Sequence, residues 1–206
     1  MLAEAFVGKK NKLQPLVFLS PVFYPNKLGL QGEKTAVGNV VAHGPGITFI
    51  KTYPGSSWLK DTLLALAGSK IKKIVFLGTC GAINPDYLIG EVVTPDENAF
   101  DLPRISCFSF DSLLDETKSR LKQLWRQKYD VVDLELTAFL QAAKAAGIVS
   151  QVLLLIQDQP LTKPFYRPLK AADKQALDMG IQRLFQLCRQ ICQTSRVNTL
   201  TRLKTR

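Results

Sequence analysis

The chain has 206 residues, 46% hydrophobic and 21% charged, which excludes a disordered or fibrous protein and supports one globular domain that needs no disulfide or metal. Its formal charge is +10, but nine basic and only two acidic residues lie beyond residue 166, so the body is close to neutral. A nucleic-acid partner would therefore have to be held by the carboxy-terminal segment alone, where basic charge permits an anionic ligand without demonstrating one.

The opening Met1-Leu2-Ala3-Glu4-Ala5-Phe6 has no signal-peptide pattern. Leu16–Leu19 is an apolar run between Pro15 and Pro21 and predicts a strand. Gly29-Leu30-Gln31-Gly32-Glu33-Lys34-Thr35 lacks phosphate-loop spacing because Glu33 intervenes. Gly38–His43 and Ile47–Lys51 predict two strands around the turn His43-Gly44-Pro45-Gly46, where a lone histidine reads as a structural donor. Ser56 or Ser57 is a candidate cap for a helix carrying Leu59, Leu63, Leu66 and Ala67 and stopping at Gly68.

Ile71–Leu77 predicts a strand buried on both faces, with Gly78-Thr79-Cys80-Gly81-Ala82 as its exit. Glu91–Thr94 and Arg104–Phe110 predict further strands, and Asp111 would cap a helix bearing Leu114, Leu121, Leu124 and Trp125. Tyr129–Asp133 leads into an alanine-rich helix closed by Gly147, and Val152–Ile156 is a last buried strand. Pro160, Pro164 and Pro168 keep the next stretch irregular. A final amphipathic helix from about Leu169 to Ile191 would dock through Ala176, Met179, Ile181, Leu184, Leu187 and Ile191.

Strands alternating with helices give an α/β layer architecture, with one domain over 1–194 and a basic tail over 195–206. No run reaches the length of a membrane span. Cys80, Cys107, Cys188 and Cys192 form no C-x-x-C pair and His43 is far away, so no metal site is expected. The expectation is a reduced cytoplasmic protein without a membrane partner.

Three segments can carry chemistry. A buried strand ending in Gly78-Thr79-Cys80-Gly81 can turn backbone N–H groups and a hydroxyl towards a ligand, although glycine also serves tight exits sterically. Asp133-Leu134-Glu135 stands at a helix start, where acids complement the dipole or can accept hydrogen bonds from a vicinal diol. Asp158 leaves an apolar strand, where desolvation can raise its pKa towards neutrality, although strand-end aspartates also cap turns.

Taken in order with Gly44-Pro45-Gly46 and Ile89-Gly90-Glu91-Val92-Val93, these segments resemble the purine nucleoside and uridine phosphorylase superfamily, which includes the methylthioadenosine/adenosylhomocysteine nucleosidases. The resemblance covers residues 38–160. It implies a single α/β domain around a mixed, partly barrel-like sheet, a homo-oligomer, and cleavage of a nucleoside N-glycosidic bond by phosphate or water. No cofactor is implied, with inorganic phosphate open as a co-substrate. By resemblance Asp158 is the catalytic acid that protonates the departing purine, and Glu135 binds the ribose. Leu134 takes the usual methionine position, and Asp133 stands near the base. Gly46, Thr79 and Gly81 would line the phosphate or water side.

The sequence also departs from the family pattern. Phe76 occupies the usual place of a phosphate-gripping arginine, no glycine–arginine loop follows Leu16–Ser20, and Gln157 replaces a serine. Glu33 is the nearest acid for a water-activating base. Leu113 replaces the aromatic of the Asp-x-Phe fragment, leaving Phe110 or Phe108 to stack on the base. Two classes therefore stay open: a nucleosidase or phosphorylase, and a catalytically impaired nucleoside-binding or scaffold protein on the same fold. Nucleic-acid binding by the tail is the weakest alternative.

Overall fold

The computed structural model describes residues 2–97 and 100–204, with side chains as far as residue 194. Its centre is β5 (Lys73–Ala82), which pairs in parallel with β1 (Leu16–Ser20) on one edge and with β9 (Val149–Asp158) on the other. Outward from β1 come β4 (Ile47–Lys51), β3 (Val40–Gly44) and the short edge strand β2 (Gly32–Lys34). β6 (Val92–Val93) pairs with β9, and β7 (Cys107–Ser109) reaches β5 through β8 (Val131–Asp133). The result is a mixed, nine-stranded sheet flanked by helices.

The sheet is sandwiched because its central strands are apolar on both faces. Val17, Leu19, Ile74, Phe76, Val152 and Leu154 face a core closed by α1 (Leu2–Val7), α2 (Ser56–Leu66) and α4 (Leu136–Ala145). Leu16, Phe18, Val75, Leu77, Leu153 and Leu155 face α5 (Ala171–Lys204). A smaller cluster lies under α3 (Lys118–Arg126), around Leu121, Leu124 and Val132. Among the described residues no helix is long and apolar enough to cross a membrane.

Several sequence expectations need correcting. Gly78–Ala82 is not an exit turn. It is the second half of β5, because β9 runs beside it throughout and β8 joins at Gly81. Neither Ser56 nor Ser57 caps α2, whose N-cap is Gly55 at φ 113°, and the Ser56 hydroxyl instead donates to Leu134 O. Thr117, not Asp111, caps α3 by accepting from the Arg120 N–H, and the strand expected over Arg104–Phe110 shrinks to β7. Met179 is 62% exposed, and Phe185 and Cys188 take its place in the α5 seam. The expected tail boundary at 195 falls inside α5, and its side chains lie outside the described ones.

α5 approaches β6 and β9 closely enough to restrict two positions to glycine. A Cβ on Gly180 would run into the Gly90 carbonyl oxygen, and one on Gly90 into the Ala176 carbonyl. Helix propensity alone favours alanine over glycine by about 1 kcal/mol. Overpacking here costs about 1–3 kcal/mol, so Gly180→Ala is expected to lower the urea midpoint. A raised midpoint would show that the helix does not sit this close.

Candidate active site

The β1 ladder on β5 stops at Phe76 and the antiparallel β8 ladder begins at Gly81, leaving Leu77–Cys80 without a strand on that edge. A cavity of about 200 Å³ opens there. β5 supplies Thr79, Cys80 and Gly81 to its wall. β8 runs back towards the gap and delivers Asp133, Leu134 and Glu135, while the end of β9 adds Gln157 and Asp158. Leu113 and Glu116, ahead of α3, and Phe165, beyond β9, complete the lining.

Asp158 is aimed by a β-bulge. Cys80 pairs with Ile156 but Gly81 pairs with Asp158, so Gln157 is the extra residue, an irregularity that re-aims side chains beside functional clefts. Asp158 is 6% exposed, and its Oδ2 accepts a 2.8 Å hydrogen bond from the Phe165 N–H. The other oxygen lies against Gly81, where a Cβ would come within 2.8 Å of it and 2.6 Å of Pro160. Burial raises the Asp158 pKa to about 6, against the opposing pull of the Phe165 N–H. A carboxyl with this value can give up a proton near neutral pH.

Glu135 and Asp133 sit two residues apart but do different things. Glu135 is the N-cap residue of α4, yet its side chain makes no cap bond; Oε1 accepts from the Gly55 N–H, 2.9 Å away across the fold. Its second oxygen has no protein partner among the described residues. Burial raises its pKa, opposed by the Gly55 N–H and reinforced by the charge of Asp133. Asp133 caps α4 in its place: Oδ2 accepts from the N–H groups of Glu135 and Leu136, and Oδ1 from Ser109 Oγ and Cys107 Sγ. Both Asp133 oxygens are thus committed to the scaffold, although burial still outweighs these bonds and raises its pKa. Asp133 holds the wall in place, and Glu135 keeps an acceptor for a ligand.

Two lining residues escaped the sequence reading. The half-buried Glu116 has no side-chain partner among the described residues, and its pKa is raised to about 7, first by burial and then by the charges of Asp158 and Asp133. Phe165 is the aromatic of the cleft, held by the bond between its N–H and Asp158. Only the three prolines after Asp158 hinted that a rigid strap might fold back there, and nothing local marked Glu116. Among the described residues no group of His, Cys, Asp or Glu side chains could hold a metal ion.

Of the eight residues expected at the site, Asp158, Glu135, Leu134, Asp133, Thr79 and Gly81 line this cavity, and Gly46 and Phe110 do not. Gly46 precedes Ile47, which pairs with Leu16 beside Lys73 at the start of β5. Thr79 lies six residues further along that strand, about 20 Å away at the usual rise. Phe110 is buried edge-on to Phe108, 5.0 Å between ring centres, and lines a neighbouring hollow with it. Neither ring takes the place of the aromatic missing at Leu113. Glu33 lies on the edge strand β2, opposite Val41, and is also outside the cleft.

No protein-family model and no curated protein matches the chain. Solved structures do match. AMP nucleosidase from Bacteroides thetaiotaomicron superposes with a TM-score of 0.60 at 18% identity, covering 89% of this chain and 94% of that one. Purine nucleoside phosphorylase from Toxoplasma gondii, in complex with immucillin-H, gives 0.70 at 16% identity, covering 90% and 94%. Uridine phosphorylase from Vibrio fischeri gives 0.67 at 15%, covering 87% and 92%. The chain has the purine nucleoside and uridine phosphorylase fold. At these identities the likeness establishes the fold, and the chemistry has to be argued from the cleft.

Within this phosphorylase fold the acid of the cleft weakens the folded state at neutral pH. A carboxyl whose folded pKa lies above its unfolded value contributes stability that is complete below about pH 4 and lost as pH rises through about 6. For Asp158 that amounts to at most about 3 kcal/mol. Asp158→Asn keeps the acceptor for Phe165 but removes this loss, so urea denaturation should show a gain over the parent at pH 8 and little at pH 4. Equal stability changes at both pH values would mean that Asp158 ionises without penalty.

Proposed function

We propose that the protein cleaves the N-glycosidic bond of a purine nucleoside. The observation that carries this reading is that Glu135 and Asp158, far apart in sequence, line one small cavity, each with one oxygen fixed by a backbone N–H and one left over. The spare Glu135 oxygen accepts from the 2′- and 3′-hydroxyls of a ribose. As the C1′–N9 bond breaks, its electron pair moves to the base and positive charge grows on the sugar, where the surrounding carboxylates stabilise it. Protonated Asp158 supplies a proton to the departing base. A purine offers N7 as the acceptor for that proton, and uracil has no equivalent ring nitrogen, which favours a purine.

A nucleoside-binding protein without turnover is the second reading, favoured by Leu113 in the aromatic position and by Glu33 lying outside the cleft. Incubation with inosine, adenosine, methylthioadenosine and uridine, followed by chromatography of the released base, separates the two. The enzyme reading expects purine release that falls about 10²–10⁴-fold in Asp158→Asn, the usual worth of a general acid. Glu135→Gln should lose about 10–100-fold in kcat/KM, the scale of one charge-assisted hydrogen bond or slightly more. Ligand-dependent thermal stabilisation with no base released from any of the four would select the binding reading.

The same assay has a pH signature. Asp158 must be protonated to act as an acid, so activity falls tenfold per unit above about pH 6. It also falls on the acid side, where Glu135 gains a proton and no longer accepts two hydroxyls. A flat profile between pH 5 and 8 would remove Asp158 from the chemistry.

A further inference from the structure

We propose that this cleft does not admit inorganic phosphate, so that the nucleoside it cleaves is hydrolysed; this rests on the cleavage reading above. A protein can hold a phosphate with cationic side chains, with the unsatisfied N–H groups of a loop, or with a helix N-terminus. At this end of the sheet each of the three is already used up by an oxygen of the protein itself.

The helix starts are taken first. The N–H groups of Glu135 and Leu136, which open α4, point at Asp133 Oδ2 at 3.0 and 2.6 Å. The Gly55 N–H at the start of α2 points at Glu135 Oε1. The loop leaving β1 is closed in the same way. Ser20 is fully buried, and its Oγ accepts from the N–H groups of Val22 and Phe23 at 3.1 and 2.8 Å while donating to Leu77 O. These are the backbone donors nearest the open edge of β5, and none is left for a ligand oxygen.

Cations are missing from the wall as well. No lysine or arginine lines the cavity, whereas Glu116, Asp133, Glu135 and Asp158 all do. Lys51 is level with Ser20 in the β1–β4 ladder, but its ammonium donates to Pro21 O and Thr52 O and lies over the Tyr24 ring. Phe76, two residues before Gly78, turns into the opposite core and stacks on Phe139 at 4.8 Å. A phosphate entering would meet carboxylates without a counter-charge, at separations where like charges repel strongly.

Water needs no such counter-charge. The C1′–N9 bond breaks with its electron pair leaving on the base, which takes the Asp158 proton. The water oxygen then bonds to C1′, and the proton it releases returns to the Asp158 carboxylate. The net change is nucleoside plus water to free ribose plus base.

The test runs base release in phosphate and in a phosphate-free buffer of equal pH and ionic strength, with the sugar product identified by ³¹P NMR and by oxygen-18 incorporation from labelled water. The expected result is a rate equal within twofold, free ribose carrying one labelled oxygen, and no ribose 1-phosphate. Ribose 1-phosphate, or a fivefold or larger acceleration by phosphate, overturns the inference. Should no nucleoside be cleaved at all, the function proposed above falls while anion exclusion is still decided by melting curves with phosphate against sulfate-free chloride controls. A phosphate-induced rise in Tm that disappears in Thr79→Val, within the cleft, overturns exclusion. No rise, or one unchanged in Thr79→Val and therefore owed to the basic surface, upholds it.

Discussion

Strand β5 keeps β9 along the whole of one edge but exchanges β1 for β8 on the other, and the cleft lies in the interval between those two partners. An unpartnered strand edge is a cost, because its N–H and carbonyl groups need hydrogen bonds wherever water is excluded. Here the Ser20 hydroxyl takes the Leu77 carbonyl, and the rest of the interval faces the cavity. Because β8 runs antiparallel to β5, it carries its own end into that interval. The helix start that follows it therefore arrives beside Asp158 at the end of β9. One change of strand partner accounts for both the hollow and the meeting of its two principal acids.

Those acids are stabilised sparingly. Glu135 and Asp158 each receive one backbone N–H, which is too little to offset the loss of water, and the pKa of each rises. Asp133, with four donors, shows what the same scaffold supplies when an acid serves the fold. The contrast separates roles that sequence position alone would merge, since Asp133 and Glu135 flank a single leucine. A carboxyl kept under-satisfied in a cleft is a recurring mark of a functional group, because it holds the acceptor capacity and the proton affinity that chemistry draws on.

How much of this could be read from the sequence followed physical lines. β1, β4, β5 and β9 were legible because strands buried on both faces are nearly continuous apolar runs. β2 and α1 were not, since three exposed residues and a six-residue helix carry no period to detect. The second half of β5 was read as a turn because Gly78 and Gly81 suit turns. In the fold they answer to neighbours, Gly81 to Asp158 and Pro160 and Gly78 to Phe76 and Leu154. Asp158 and Glu135 were legible as acids at the ends of recognisable elements. Glu116 and Phe165 were not, because their membership of the cleft depends on how two irregular segments fold back, and Gly46 was misplaced because only strand register fixes its level in the sheet.

Phe76 links the architecture to the chemistry. Its side chain belongs to the face of β5 that packs on α4, where Phe139 lies almost parallel to it at an interplanar angle of 26°. A guanidinium at that position would stand in an apolar core with no carboxylate to pair, a cost of several kcal/mol that no neighbouring group here offsets. The strand can thus use this position to complete a core or to aim a cation at a ligand, but not both. Once Phe76 stacks on Phe139, the remaining routes to an anion site are backbone donors, and Ser20, Asp133 and Glu135 have taken the nearest of them. Packing of the core and the charge preference of the cleft are in this way set by the same few side chains.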